Sequence, residues 1–293
     1  MKIALCLSGY FDSLKDLDSK GIDGFRHIEK HILSKREQEH QVDVFIHNWQ
    51  PEREEYIRSL YDPKKAIFED QIDFDYIATK NKVSRYHLDP NYQLGSWTID
   101  SKSGSGYVGP ERLLSMFYSV QKSFELAYEY EKENDFRYDC IIKSRFDLGR
   151  VNRKTSGPGK QNPFPCQCIV FDPDYDMNNF YQAYWDLFNE GPADMWFYSS
   201  SENMKCFSSL YDNVLKEYLQ IGSDYSKAVV SGWPLSSKDN FRSNEILKAT
   251  HERDSNLHTY PKHMVVNGIL LMKWFLEEND LWEKSKYLVG EWE

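Results

Sequence analysis

The sequence lacks the long apolar runs of membrane proteins, since no stretch approaches the roughly 18 consecutive apolar residues that a transmembrane helix requires. It also lacks a long basic run, and its formal net charge is -10. Because nucleic-acid affinity comes mainly from cations placed on phosphates, an acidic chain of this kind is a poor nucleic-acid binder. The amino terminus shows no apolar segment that ends in a small-residue cleavage site. We therefore expect a cytoplasmic protein without a transmembrane segment.

Cysteine is scarce, and its spacing does not match the common zinc motifs. The five cysteines are Cys6, Cys140, Cys166, Cys168 and Cys206. Cys166 and Cys168 are separated by one residue rather than two, and no second close pair follows. The odd number, and the position of two cysteines within predicted buried strands, indicate reduced thiols in a reducing compartment. The chain also has no Walker A sequence, no G-x-G-x-x-G fingerprint and no internal repeat.

Aromatic residues, by contrast, are abundant: 20 Tyr, 17 Phe and 8 Trp make up 15% of the chain. Rings stack on flat apolar ligand faces, including those of sugars, but most of these side chains are expected to pack in the core. With 293 residues and 40% hydrophobic content, the chain is long enough for a sizeable core in one large domain or two small ones.

Apolar runs and helical periodicity alternate along the first half of the chain. Residues 3–7 form a continuous apolar run that predicts a buried strand, and residues 42–47 predict a second one. A helix is predicted between them at 22–39, which makes a parallel βαβ unit. Pro110 opens the longest predicted helix, which runs to about residue 133. The pattern predicts an α/β fold with a Rossmann-like, mostly parallel central sheet flanked by helices, in a single large domain over residues 1–293.

The second half of the chain has weaker signals. Residues 168–171 are a strand candidate, and residues 194–198 predict an apolar strand introduced by Asp194. Serines before Glu202 mark the start of a helix predicted over about 202–219. A short helix over 244–249 carries Glu245 in its first turn, and helical spacing returns at 268–285.

The most informative stretch is residues 138–147, where a short apolar run turns polar and ends in Lys143, Arg145 and Asp147. Alternation along a strand places these three side chains on one face. Buried strands of open α/β sheets bind ligands at their carboxyl ends. A guanidinium can fork onto a phosphate, and a carboxylate can hold a divalent metal. The alternative is a strand end that carries only a surface ion pair.

Several separate segments resemble a group of bacterial and viral glycosyltransferases with a GT-A-like fold, found with capsule, lipopolysaccharide or viral glycan synthesis. Residues 2–10 resemble the opening strand of that family, which ends in Ser-Gly and faces the nucleotide. His47-Asn48-Trp49 resembles its His-x-Trp strand end. Residues 114–122 resemble the helix before the acidic motif, and residues 138–148 resemble the strand Tyr-Asp…Arg-x-Arg-x-Asp-Leu.

Two downstream segments extend the resemblance over about residues 1–250, although much of 50–110 and 151–190 does not align. Residues 193–204 resemble a segment Asp-x-Phe-x-x-Gly-Ser-x-x-x-Met, and residues 243–247 resemble Pro-Glu-x-Leu-Leu. The sequence departs from the family pattern at Lys143 for Arg, Ser199 for Gly and Asn244 for Pro. Lysine keeps the charge but loses the bidentate fork. The acidic motif also has one carboxylate rather than Asp-x-Asp.

The resemblance implies transfer of a sugar from a UDP- or GDP-linked donor to a glycan or glycoconjugate acceptor. Residues 1–150 would bind the nucleotide sugar, and residues 151–293 would form the acceptor side. The implied nucleotide-sugar-binding residues are Leu7, Ser8, Gly9, Tyr10, His47, Tyr118, Lys122, Lys143, Arg145 and Asp147. Asp147 would also hold Mn²⁺ or Mg²⁺, which neutralises the leaving diphosphate. For His47 and Lys122 the alternatives are a structural histidine and a solvated helix residue.

Asp194 and Glu245 are the candidate catalytic carboxylates. An inverting transferase needs a carboxylate that takes the proton of the acceptor hydroxyl as it attacks the anomeric carbon. The alternative for Asp194 is a turn aspartate at a strand start, and for Glu245 an acid that complements the helix dipole.

Two other functions fit the same sequence. One is another nucleotide-sugar or nucleotidyl-transfer enzyme on a similar sheet. The other is a non-catalytic glycan-binding protein on the same fold, which the single acidic motif leaves open.

Overall fold

The computed structural model describes most of the chain and builds one mixed sheet. The residues it describes are 1–11, 20–34, 40–83, 109–149, 165–184, 192, 194–220, 222–230, 233, 266 and 268–290. The strands are β1 (Lys2–Gly9), β2 (Gln41–Asn48), β3 (Lys65–Phe68), β4 (Cys140–Arg145), β5 (Phe180–Ala183), β6 (Trp196–Ser199) and β7 (Ser285–Leu288). They lie in the order β3-β2-β1-β4-β6-β5-β7. The predicted α/β class is confirmed.

Strand directions explain why the sheet is mixed but mostly parallel. β1 pairs in parallel with β2 and with β4, and β2 pairs in parallel with β3. β6 runs antiparallel to both β4 and β5, whereas β5 and β7 are parallel. The carboxyl ends of β1, β2, β3 and β4 therefore meet at one edge of the sheet.

Helices cover both faces of the sheet, as parallel strands require. The helices are α1 (Lys20–His31), α2 (Glu54–Tyr61), α3 (Phe74–Lys80), α4 (Pro110–Glu133), α5 (Ser201–Met204), α6 (Leu210–Asn213), α7 (Asp224–Val230) and α8 (Gly268–Glu278). On one face, Leu5 and Leu7 of β1 pack in a cluster with Ile28 of α1 and Ile57 of α2.

The opposite face is built around the longest helix. Ala4 and Cys6 of β1 share a core cluster with Phe117 of α4, Phe197 of β6 and Phe275 of α8. The alternation of buried residues along β1 between the two clusters is the period of two that a strand with two covered faces requires.

In the first half, the predicted strands β1, β2 and β4 and the helix α4 are confirmed, whereas α2 and α3 were not predicted and α1 ends at His31 rather than at residue 39. The second half differs as well. Cys168–Phe171 is not a strand, although Ile169 is buried against the sheet, because its backbone pairs with no strand of the described residues. The helix predicted over 202–219 is confirmed in extent, because Ser201–Tyr218 is helical throughout. Its geometry is irregular, with a 3₁₀ segment at Lys205–Ser209 and a π segment at Val214–Tyr218. The helix predicted over 268–285 ends at Glu278, and the edge strand β7 follows.

None of the helices within the described ranges combines the length and apolar character needed to cross a membrane. No disulfide joins the five cysteines, all of which lie within these ranges.

Candidate functional site

The candidate site lies at β1, the point where the order of the strands switches from one side of the sheet to the other. From β1 the chain proceeds to β2 on one side, and β4 pairs on the other side of β1. Ser8 is the register partner of His47 on β2 and of Arg145 on β4. A crevice outside the carboxyl ends of two such strands is the usual ligand site of open α/β sheets.

Arg145 joins two carboxylates at this edge. Its Nε donates to Oδ1 of Asp147 and its NH2 donates to Oδ2, each at 2.8 Å. Its NH1 donates to Oδ2 of Asp194 at 3.0 Å. The side chains of Arg145, Asp147 and Asp194 are 34%, 25% and 31% exposed, so the cluster is accessible to solvent at this edge of the sheet. The structure thus brings together three predicted site residues from two distant segments.

Lys143 does not reach the same surface, contrary to the expectation that residues 143, 145 and 147 converge at one rim. Its side chain is almost fully buried, and its Nζ donates to the backbone carbonyl of Asp194. Burial lowers the pKa of Lys143 to about 8, against the opposing effect of the Asp194 carboxylate. Lys143 therefore joins β4 to the segment before β6 by a hydrogen bond. Its buried ammonium also offsets the negative charge of the nearby Asp194 and Asp147 carboxylates.

The four charges at this edge nearly cancel. Lys143 and Arg145 provide two cations, and Asp147 and Asp194 provide two anions. A bound diphosphate would add uncompensated negative charge, which requires a further cation. Asp147, the predicted metal ligand, supplies carboxylate oxygens, which Mg²⁺ and Mn²⁺ prefer, and it is partly exposed, with both oxygens accepting from Arg145. The chemistry of this donor set fits the predicted metal.

The turn after β1 is held by side chains from two other elements. Gly9 has φ +100°, a conformation that favours glycine, and a side chain there would point into open space. The Gly9 N–H donates to Ser119 Oγ at 2.8 Å, and its carbonyl accepts from Asn48 Nδ2 at 2.9 Å. Two residues further along the chain, the Phe11 N–H donates to Gln50 Oε1. The backbone of this turn is therefore fixed by hydrogen bonds, and it is open on the side to which a Cβ of residue 9 would point.

His47 belongs to a buried chain of hydrogen bonds that ends at this turn. Its Nδ1 lies 2.8 Å from Ser119 Oγ and its Nε2 lies 2.9 Å from Oε1 of Glu69. Burial lowers the pKa of His47, although Glu69 opposes that effect. With a neutral ring, Nε2 donates to Glu69 and Nδ1 accepts the Ser119 hydroxyl. His47 thus acts through Ser119 on Gly9, and its side chain is enclosed.

Aromatic rings pack beside His47. Tyr118 stacks on Trp49 with ring centroids 5.5 Å apart, and both rings contact His47 edge to face. Lys122 lies 5.5 Å from the centre of the Tyr118 ring and pairs with Glu125 at 2.6 Å. The indole of Trp49 is buried, so it supports Tyr118 rather than presenting a face to a ligand.

Three more predicted site residues have different outcomes. Leu7 is fully buried, and its side chain packs in the core. The Tyr10 hydroxyl donates to Gln71 at 2.8 Å at the outer end of the turn. Glu245 lies outside the described residues.

Sequence reasoning did not assign a role to Ser119, Glu69 or Gln50. Ser119 was visible only as a polar residue among apolar ones in α4, a pattern that does not reveal its partners. Its partner Gly9 is 110 positions away along the chain.

Known proteins offer no further assignment: neither a protein-family model nor a curated protein matches this chain.

Proposed function

We propose that this chain is a glycosyltransferase that moves a sugar from a UDP- or GDP-linked donor to a glycan acceptor. The mostly parallel sheet with helices on both faces is compatible with the GT-A-like fold that the sequence resemblance implies. Fold alone does not establish function, so the proposal depends on the site.

The observation that carries the proposal is the pairing of Arg145 with Asp147 and Asp194 beside the turn after β1. Three of the five guanidinium N–H groups bond to carboxylate oxygens among the described residues. The turn at Ser8–Gly9 would admit the diphosphate along its backbone, and Arg145 would lie within one strand spacing of it.

Asp147 would hold the divalent metal, which, when bound, neutralises the charge that develops on the leaving diphosphate. Arg145 keeps the Asp147 and Asp194 carboxylates together at the rim. Lys143 holds the Asp194 backbone from beneath, so the position of that carboxylate is determined by β4.

Asp194 is also the carboxylate best placed to take the proton of an acceptor hydroxyl, because it precedes β6 and faces the edge from the acceptor half. This role presumes an inverting reaction. The Arg145 guanidinium orients the Asp194 carboxylate through Oδ2.

A thermal-shift screen of UDP, GDP, CMP and their common sugar conjugates, with and without Mn²⁺, tests the proposal. A ligand that binds only the native state raises the melting temperature by mass action, by roughly 5–10 °C at about 100 times its Kd. We expect one nucleotide class to give a shift that grows with Mn²⁺, and Asp147→Ala to remove the increment due to Mn²⁺.

The alternatives give different results in the same screen. A non-catalytic glycan-binding protein would show no nucleotide shift but would bind glycans, and Asp147→Ala would leave that binding intact. A nucleotidyl-transfer enzyme would respond to a nucleoside triphosphate or a sugar phosphate. Absence of any shift with nucleotides would contradict the proposal.

A further inference from the structure

A second group of potential ligands lies on the opposite face of the sheet from α4. His27 and His31 are one helical turn apart on α1, with ring centroids 4.4 Å apart. Cys168, from the segment before β5, is buried beside them. Among the residues that the structure describes, these are the ones that place three histidine, cysteine or carboxylate donors within 4.8 Å of one another.

We propose that His27, His31 and Cys168 bind a zinc ion. One thiolate and two imidazoles are a donor set that favours Zn²⁺ over the hard cations Mg²⁺ and Mn²⁺. In a tetrahedral site with bonds of about 2.0–2.3 Å, the donor atoms are about 3.3–3.6 Å apart. Because the three donors lie within 4.8 Å of one another, this spacing requires a contraction of at most about 1.5 Å. Water would complete the fourth position. The site is independent of the proposed glycosyl transfer.

Both histidines are half-buried, which leaves a path for the metal from the solvent side. A cysteine that binds zinc does so as a thiolate, so metal binding releases its proton. The site should therefore bind zinc more tightly as pH rises.

A hydrogen bond already joins His27 to the residue next to Cys168. His27 Nε2 accepts the backbone N–H of Ile169 at 3.0 Å, next to Cys168. Without metal, this bond already joins α1 to the segment that carries the thiol. If zinc is coordinated by His27 Nε2, the coordinate bond replaces this hydrogen bond. The hydrogen bond thus preassembles the segment against α1.

The zinc ion would fasten α1 to the segment that starts with the 3₁₀ turn Pro165–Gln167. Gln167 of that turn accepts a hydrogen bond from the Gly149 N–H at 2.9 Å, and Gly149 lies two residues beyond Asp147. A zinc ion would hold this segment beside the chain that follows β4 without contacting a substrate.

The test uses the full chain, stripped with a chelator and then titrated with ZnCl₂ in competition with a chromogenic chelator. We expect one zinc per chain. With Co²⁺ as the probe, we expect a thiolate-to-cobalt charge-transfer band and intense tetrahedral d–d bands. A Mn²⁺ or Mg²⁺ site at Asp147 has no thiolate and gives no such band, so the two sites are distinguished.

Cys168→Ser should abolish the charge-transfer band, and His31→Asn should weaken zinc binding by at least about 100-fold, more than the loss of an outer partner costs. Cys206→Ser is the matched control, because this half-buried thiol lies in another turn, and it should leave both readouts unchanged. Cys168 is buried, so Cys168→Ser can fold poorly; His31 is only half-buried, and His31→Asn then provides the test. Failure to retain one zinc per chain, or a charge-transfer band that persists in Cys168→Ser, would overturn the proposal.

Discussion

Arg145 donates two parallel hydrogen bonds to the carboxylate of Asp147, two residues further along the chain, each at 2.8 Å. This fork geometry fixes both side chains in one plane and directs the remaining guanidinium edge towards Asp194. Because β4 ends at Arg145, the pair stands at the rim of the sheet rather than within the core. Substitutions of Arg145 and of its second partner Asp194 therefore test the candidate site.

Arg145→Lys should lower donor turnover by at least about 100-fold, because a lysine keeps the charge but cannot bridge two carboxylates in a fixed plane. Steady-state kinetics with the nucleotide sugar identified by thermal shift would measure the effect. Arg137→Lys is the matched control, since Arg137 pairs with Glu202 on the exposed surface. Equal turnover in both variants would show that the fork has no part in the reaction.

Asp194→Asn should reduce turnover by about 100-fold or more while nucleotide binding changes little, because the amide cannot accept the proton of an acceptor hydroxyl. The measurement is kcat beside the thermal shift given by the nucleotide. Asp224→Asn, at a highly exposed position on α7, serves as the control. A variant that keeps wild-type kcat would exclude Asp194 as the general base.

Ser119→Ala should lower the free energy of unfolding by about 1–3 kcal/mol, because it leaves the Gly9 N–H and His47 Nδ1 without their buried partner. Ser123→Ala is matched to it: Ser123 is also buried on α4, but its hydroxyl bonds only to Val120 O one turn back. Urea denaturation of both variants gives the comparison. If the two cost the same, the hydrogen bonds to the turn after β1 contribute nothing specific.

The stability of the chain should fall as pH decreases below about 6.5, in part through His47. Burial holds the pKa of His47 below its unfolded value, so the unfolded state takes up the proton first and is favoured as pH falls. The loss begins at the unfolded pKa of about 6.5 and ends at the folded pKa. Glu69, Glu125 and Lys122 are the charged groups that act on this ring.

Melting temperatures of wild type and His47→Gln from pH 7.5 to pH 5 would measure this contribution. The variant should be less stable at pH 7.5, and its melting temperature should depend less on pH over this range. Parallel curves for the two proteins would mean that His47 does not titrate differently on unfolding.

Gly24→Ala should destabilise the protein by about 1–3 kcal/mol, because a Cβ at Gly24 would fall on the carbonyl oxygen of Phe146. Relief would require α1 to move away from the end of β4. At Gly268, by contrast, a Cβ would meet the ends of two flexible side chains, Leu113 at 3.0 Å and Met116 at 3.7 Å. Gly268→Ala should therefore be neutral or slightly stabilising in thermal denaturation, and similar losses at both positions would contradict the close approach.

Part of the fold could be predicted because some elements carry their signal locally. The apolar runs of β1, β2 and β4 are buried on both faces, and α4 begins at Pro110 as the sequence indicates. The strands β5 and β7 have four residues each and lie towards one edge of the sheet. Such short segments are defined by pairing partners, which a sequence window does not contain.

The same division holds for the candidate site. Arg145 and Asp147 could be found from the sequence because they follow a buried strand directly. That Lys143 is enclosed was not predictable, since alternation assigns a face but does not show that the Phe197 ring and the Asp194 carbonyl surround the ammonium.

By itself, the sequence determined which segments are buried strands, where the longest helix runs, and that charged side chains follow β4. These properties depend on the periodicity of neighbouring residues, which local sterics and hydrophobicity dictate. Only the tertiary structure decided that Asp194 reaches Arg145 across 49 positions and that Ser119 holds Gly9 across 110. Such contacts depend on strand order and register, which are determined by the packing of the whole chain.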